Sequence, residues 1–211
     1  MLSLNNEKLS KTTGNRRSLE ESYFDVIGIA VALGGFKGLS EVISELPADF
    51  PVPILVVQHM SPDFDSNMAE ILKPVTSLLV KQMENGERLE RGTIYTAVPN
   101  KHMLVNNDGT ISLAPVDKTE FTRPAADVTF VTLAISYKER AIGVLLTDAG
   151  QDGALGAMAI KASGGKVIAQ EKAGTSGAPD ADLRLEDVDY IMPLAEIAPL
   201  LINLAKKGKP D

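Results

Sequence analysis

Cysteine is absent from the 211 residues, and so is tryptophan. Without cysteine there is no disulfide, no thiolate zinc site and no thiol nucleophile. The only two histidines are His59 and His102, too few for a multi-histidine metal centre. Long apolar runs are also missing. The longest are of strand length, so membrane insertion is not expected. The N-terminus lacks the apolar core of a secretory signal, which points to a cytoplasmic protein. An excess of positive charge is missing too: 21 Lys and Arg stand against 28 Asp and Glu, for a formal charge of -7. A general nucleic-acid binder needs a basic face to displace counterions, so that class is disfavoured, although a local basic patch is not. What remains is 44% hydrophobic and 23% charged, a globular composition of a length that suits one domain, or one domain with a tail.

Residues 1–22 are polar, carry Arg16-Arg17 and show no apolar period. They read as a flexible arm or a linker remnant, with a basic docking motif as the sharper alternative. Residues 23–211 read as the domain. Asp25 to Val31 is a continuous apolar run, as in a strand buried on both faces of a parallel sheet. A turn, Ala32-Leu33-Gly34-Gly35, leads into a helix with Leu39, Val42, Ile43 and Leu46 at helical spacing. A second buried strand runs from Val52 to Gln58 and ends at His59. Ser61-Pro62-Asp63 reads as the start of a helix with Met68, Ile71 and Leu72 on one face.

The middle has another rhythm. Gly92 to Ala97 reads as a strand. The stretches 102–105 and 110–113 flank Asn106-Asn107-Asp108-Gly109, a hairpin signal. Strand and helix then alternate again: a helix at 124–137, a strand at 141–147, a Gly-rich loop at 148–153, a helix at 154–163, a strand at 166–169, a strand at 189–192 and a helix at 194–206. This pattern predicts an α/β, doubly wound, mostly parallel sheet with helices on both faces and an antiparallel hairpin insert or edge.

Ligands of such sheets bind beyond the carboxyl ends of the strands. Three of those ends carry unusual residues: the Ala32 turn, His59, and the loop from Asp148 to Gly153. A histidine and a carboxylate on neighbouring strand ends can form a base and its orienting partner. A nucleophile would belong on the first strand-to-helix turn, on a sharp elbow flanked by small residues. That position is Ala32, which has only a methyl group.

These residues resemble the catalytic domain of the chemotaxis protein-glutamate methylesterase (CheB) family. The resemblance runs from Asp25 to Ala205, through VIGIAVALGG, LPADFPVPILVVQHM, ERGTIYTAVPNKHMLV, NNDGTISL, FTRPAADVTF, AIGVLLTDAGQDGALGAMAIKASGGKVIAQE and YIMPLAEIAPLL. It implies a hydrolase of glutamyl methyl esters on chemoreceptor helices, some members also deamidating glutamine, with a Ser-His-Asp triad and neither metal nor cofactor. The family histidine falls on His59, the aspartate on Asp152 and the serine on Ala32. Leu33, Gly34, Gly35, Asp148, Gly150 and Gly153 fall on the oxyanion-binding and loop positions around them. His102, before a hairpin strand, reads as structural or as part of the rim.

The missing serine changes what the resemblance implies. An acyl-enzyme needs an oxygen at the elbow, and neither Ser40 nor Thr147 is placed to substitute. Val31 and Leu33 are bulkier than the small residues usual beside that serine, which favours natural drift over a single engineered change. Asp148 puts a second acid near Asp152, and Gly177-Ala178-Pro179 follows a loop that reads as shortened. The family's receiver domain is not expected here. The implied role is a CheB-like domain without serine-dependent activity, touching a methyl-accepting chemoreceptor or another chemotaxis protein. Two alternatives stay open. One is a residual water-based esterase or deamidase using His59. The other is a doubly wound nucleotide-binding module, although G-x-G-x-x-G is not satisfied.

Overall fold

The structure is a computed structural model, and it describes residues 24–32, 34–58, 67–115, 125–146, 152–174 and 183–206. Among the described residues, nine strands form two sheets. β1 (Val26–Val31), β2 (Ile54–Gln58), β3 (Leu79–Gln82), β4 (Thr93–Thr96), β7 (Ala141–Leu145), β8 (Lys166–Gln170) and β9 (Tyr190–Met192) make one sheet in the order β3-β4-β2-β1-β7-β8-β9. Every pairing in it is parallel. β5 (Lys101–Val105) and β6 (Ile111–Pro115) form a separate antiparallel hairpin, turned by the predicted Asn-Asn-Asp-Gly segment. The expected fold class stands, with all seven strands of the main sheet parallel.

Helices cover both faces. Ile27, Ile29 and Val31 of β1 point to the face packed by α1 (Phe36–Ser44), α2 (Met68–Leu72) and α5 (Leu194–Lys206). Val26 and Ala30 point to the opposite face, packed by α3 (Ala126–Tyr137), α4 (Ala154–Ala162) and the hairpin. The alternation follows from the strand's two-residue period, and the unbroken apolar run follows from burial on both faces.

Two details differ from the sequence reading. β3 was not foreseen: Leu79-Val80-Lys81-Gln82 is a four-residue edge strand with Leu79 exposed. Ile71 does not share an inward face with Met68 and Leu72. Those two are buried, as is Ala69, while Ile71 is half exposed, because α2 has only five residues and its inward side is taken by these three. Ser61-Pro62-Asp63 and Gly177-Ala178-Pro179 lie outside the described residues, as does the 1–22 arm. No helix among the described residues is long and apolar enough to cross a membrane.

Candidate active site

The sheet reverses direction of growth at β1. From β1 the chain crosses to β2 on one side, and β7 joins on the other. The carboxyl ends of β1, β2 and β7 therefore meet at the switch point of the sheet, where such folds bind ligands. Ala32 stands at the end of β1, 9% exposed. Its carbonyl accepts the Gly35 N–H at 3.0 Å, which closes the turn into α1. The Gln58 side-chain amide donates to the same carbonyl at 3.4 Å and ties in the end of β2. A Cβ on Gly35 would lie 2.6 Å from Val31 Cγ1, so the turn has no room for a side chain there. Gly34 is different: it is exposed, and an added Cβ would meet nothing within 4 Å. Close packing thus explains Gly35 and not Gly34. α1 has no side-chain cap and no acid in its first turn, so its first N–H groups, at the positive end of the helix dipole, keep their hydrogen-bonding capacity beside Ala32.

Asp152 is 8% exposed and sits just before α4. Its carboxylate serves the start of α3: Oδ2 accepts the Ala126 N–H at 2.7 Å and Oδ1 accepts the Asp127 N–H at 3.0 Å. Asp127 reciprocates. Its Oδ1 accepts the Gly153 N–H at 2.9 Å and the Gly156 N–H at 2.8 Å, at the start of α4. The residues before α3 and α4, Ala125 and Gly153, offer no side-chain cap of their own. Burial holds the Asp127 carboxyl above the usual carboxylate range, and the neighbouring Asp152 adds to the rise, against hydrogen bonds from Gly156 and Gly153 that lower it.

Glycines set the spacing beneath this pair. Gly28 of β1 and Gly143 of β7 are register partners, and the Phe130 ring of α3 lies over both. A Cβ on Gly28 would be 2.7 Å from Phe130 Cε1, and one on Gly143 would be 3.2 Å from Phe130 Cε2. On the other side, a Cβ on Gly156 would be 2.3 Å from Phe130 Cβ. Gly153 has φ +100, in the left-handed region that favours glycine. Its Cβ position is 3.5 Å from the Ala30 Cβ, and the Leu146 N–H bonds the Ala30 carbonyl at 3.1 Å. Gly153, the residue after Asp152, thus packs against β1 two residues before Ala32.

Of the residues singled out in the sequence, Ala32, Gly34, Gly35, Asp152 and Gly153 are described, and all lie at this end of the sheet. His59, Leu33, Asp148 and Gly150 lie outside the described residues, as do Thr147 and Gln151 beside them. His102 is buried on β5, and its Nδ1 accepts the Ala125 N–H at 3.2 Å, which fits the structural reading. Asp127, the hydrogen-bonding counterpart of Asp152, was not singled out in the sequence. The available signal was an acid in the first turn of a helix just after a proline, within FTRPAADVTF. Among the described residues no group of three or more His, Asp or Glu could hold a metal ion. Chemically, the described part of the site offers a hydrogen-bonded carboxylate at Asp152, a helix start without a side-chain cap at α1 and the methyl group of Ala32.

Comparison with known proteins places this arrangement in context. The family model for CheB methylesterase matches residues 27–201. A curated protein of Leptospira interrogans is 34% identical over 183 residues, covering 86% of this chain and 95% of its own length. The protein-glutamate methylesterase/protein-glutamine glutaminase of Thermotoga maritima is 37% identical over 184 residues, covering 85% of this chain and 54% of its own. The chain thus spans nearly all of the first relative and about half of the second. The crystal structure of the Thermotoga maritima CheB methylesterase catalytic domain superposes with a TM-score of 0.76 at 34% identity, covering 86% of this chain and 98% of that one.

Proposed function

This chain belongs to the CheB methylesterase family, and from that premise we propose that it is a protein-glutamate methylesterase domain that has lost serine-dependent turnover. Ala32 occupies the nucleophile position, His59 the base and Asp152 the carboxylate that orients it. The domain acts in the cytoplasm by binding a methyl-accepting chemoreceptor or another chemotaxis protein.

The observation that carries this reading is Ala32 itself, buried at the end of β1 in the turn closed by Gly35. A methyl group cannot form an ester bond with the acyl carbon of a glutamyl ester. Loss of the serine from such a triad lowers turnover by roughly a million-fold, about 8 kcal/mol of barrier. Binding groups and an oxyanion site alone leave roughly 10³–10⁴ over water.

A methanol-release assay on methylated receptor tests the proposal. Turnover far below that of an active relative, with receptor binding retained, is expected. Turnover comparable with an active relative overturns it. Ala32→Ser alone is expected to recover little, because Leu33, Asp148 and the segment before Gly177 also depart from the family pattern.

A further inference from the structure

Away from the strand ends, α1 and α5 leave a groove of about 130 Å³ between them, lined by Glu41, Val42, Glu45, Leu194, Ala195 and Ala198. Val42 and Ala198 are buried and form its apolar floor. Glu41 and Glu45 are exposed and stand one helical turn apart on α1, so both carboxylates face the same rim. Like charges at this spacing oppose each other. Neither is within ion-pair distance of a cation among the described residues, not even of Lys37 one turn earlier. The opposite wall adds another acceptor. Pro199 lies inside α5 and has no N–H, so the Ala195 carbonyl is deprived of its usual helical donor. The groove thus combines an apolar floor with acceptors on both walls.

We propose that this groove is the docking site of the chain's own segment Lys8–Leu19. Leu9 seats on the floor, and Lys8 and Lys11 lie over Glu41 and Glu45. Charge complementarity favours this occupant. Within a chain of net charge -7, the segment carries Lys8, Lys11, Arg16 and Arg17 and no acid. Size agrees: the groove is comparable with an apolar cavity of about 150 Å³ that takes a benzene, so it takes one leucine side chain. Reach agrees as well. Twelve residues lie between Lys11 and Phe24, and the thirteen steps span about 45 Å when extended. Phe24 is itself buried in the core beneath α1 and α5, so the chain enters β1 on the groove's side of the sheet. Tethering gives an effective concentration on the order of mM, enough to populate a contact too weak to hold separate chains together.

The absence of cysteine makes the test direct. A nitroxide on Ser10→Cys in the full chain reports which amides the segment approaches. Signals of Glu41, Val42, Ala195 and Ala198 are expected to be attenuated several-fold more than those of β3. The attenuation is expected to vanish in Glu41→Lys/Glu45→Lys, and also at about 1 M salt, where charges are screened within about 3 Å. Lys8→Glu/Lys11→Glu, which leaves the folded domain unaltered, is expected to release the segment equally. Attenuation centred on another surface, or unchanged by these substitutions, overturns the proposal. So does attenuation in an unlabelled isotope-enriched copy mixed with labelled chain, because it assigns the groove to a second molecule.

Discussion

Asp127 and Asp152 exchange helix starts: each carboxylate accepts the N–H groups that open the helix near which the other stands. Asp152 holds Ala126 and Asp127 at the start of α3, and Asp127 holds Gly153 and Gly156 at the start of α4. Burial raises the Asp127 pKa, and the nearby Asp152 adds to the rise. The arrangement is sustained by the positive ends of two helix dipoles and four backbone donors that lack any other cap. The consequence for the site is positional. The residue proposed to orient the base is fixed to α3 through both oxygens, and α4 is fixed to α3 in return.

The two acids are not equivalent toward amide replacement. The bonds from Gly153 and Gly156 both end on one oxygen of Asp127, Oδ1. Asn at 127 keeps that oxygen and is expected to cost less than about 1 kcal/mol, whereas Asp127→Ala removes the cap and costs about 1–2 kcal/mol. The bonds to Asp152 use both oxygens. Asn at 152 must turn its NH₂ toward one backbone donor, for an expected loss of about 1–3 kcal/mol. Urea unfolding of the three variants checks the order. Asp127→Asn proving as costly as Asp152→Asn would contradict the single-oxygen geometry.

Asp127 and Asp189 give opposite pH dependences. The Asp127 pKa is raised, chiefly by burial. Its contribution to stability is full below the unfolded value of 3.8 and is lost as pH rises through the raised folded value. For Asp189, burial acts upward but is outweighed by hydrogen bonds from Lys161, Val167 N–H and Lys166, so its pKa is lowered. Its contribution is present above 3.8 and is lost as pH falls through the lowered folded value. Unfolding from about pH 3 to about pH 7 is therefore expected to show Asp127→Asn gaining on the parent as pH rises. The deficit of Asp189→Asn is expected to shrink as pH falls. Parallel curves would refute both shifts.

Gly156→Ala tests the joint between α3 and α4. Alanine is the better helix former by about 1 kcal/mol. Its methyl would nevertheless lie 2.3 Å from Phe130 Cβ and 3.2 Å from the Asp127 Cα, atoms that no side-chain rotation can move away. The helices must separate, which also draws the Gly156 N–H from Asp127. A net loss of about 1–3 kcal/mol is expected, with faster hydrogen exchange at Gly153. Unchanged stability would show that the helices have slack at this contact.

The legible parts of the molecule were those in which one rule dominates. β1, β2 and β7 read as strands because burial on both faces demands uninterrupted apolar residues. The hairpin read from Asp108-Gly109, because Gly109 adopts φ +80 in that turn. β3 was hidden because an edge strand needs only one good inward residue, here Val80, and a four-residue segment shows no period. At the proposed site, Ala32 was singled out by its place on the first strand-to-helix turn and Asp152 by the family resemblance. The bonds that the Gly153 and Gly156 N–H groups donate to Asp127 were not legible, because they join positions 26 and 29 residues apart and depend on how two helices pack. Helical spacing likewise placed Ile71 inward, but a helix of barely more than one turn does not turn a full stripe toward the sheet.

Thr96 offers a change that strengthens the fold. It ends β4, is 1% exposed, and its hydroxyl is buried with no hydrogen-bond partner among the described residues. Alternation along β4 directs it, like Ile94, to the face covered by α1, α2 and α5. An unpartnered hydroxyl in such surroundings costs about 1–3 kcal/mol in proteins. Thr96→Val replaces it with a methyl group of similar size and keeps the β-branch that suits a strand. A gain of about 1 kcal/mol is expected, which for a chain of this length raises Tm by about 2–4 °C. Thermal unfolding of the full chain measures the shift. A lowered Tm would mean that the hydroxyl has a partner in solution, and a buried water bonded to Thr96 Oγ1 would then be sought in a crystal of the protein.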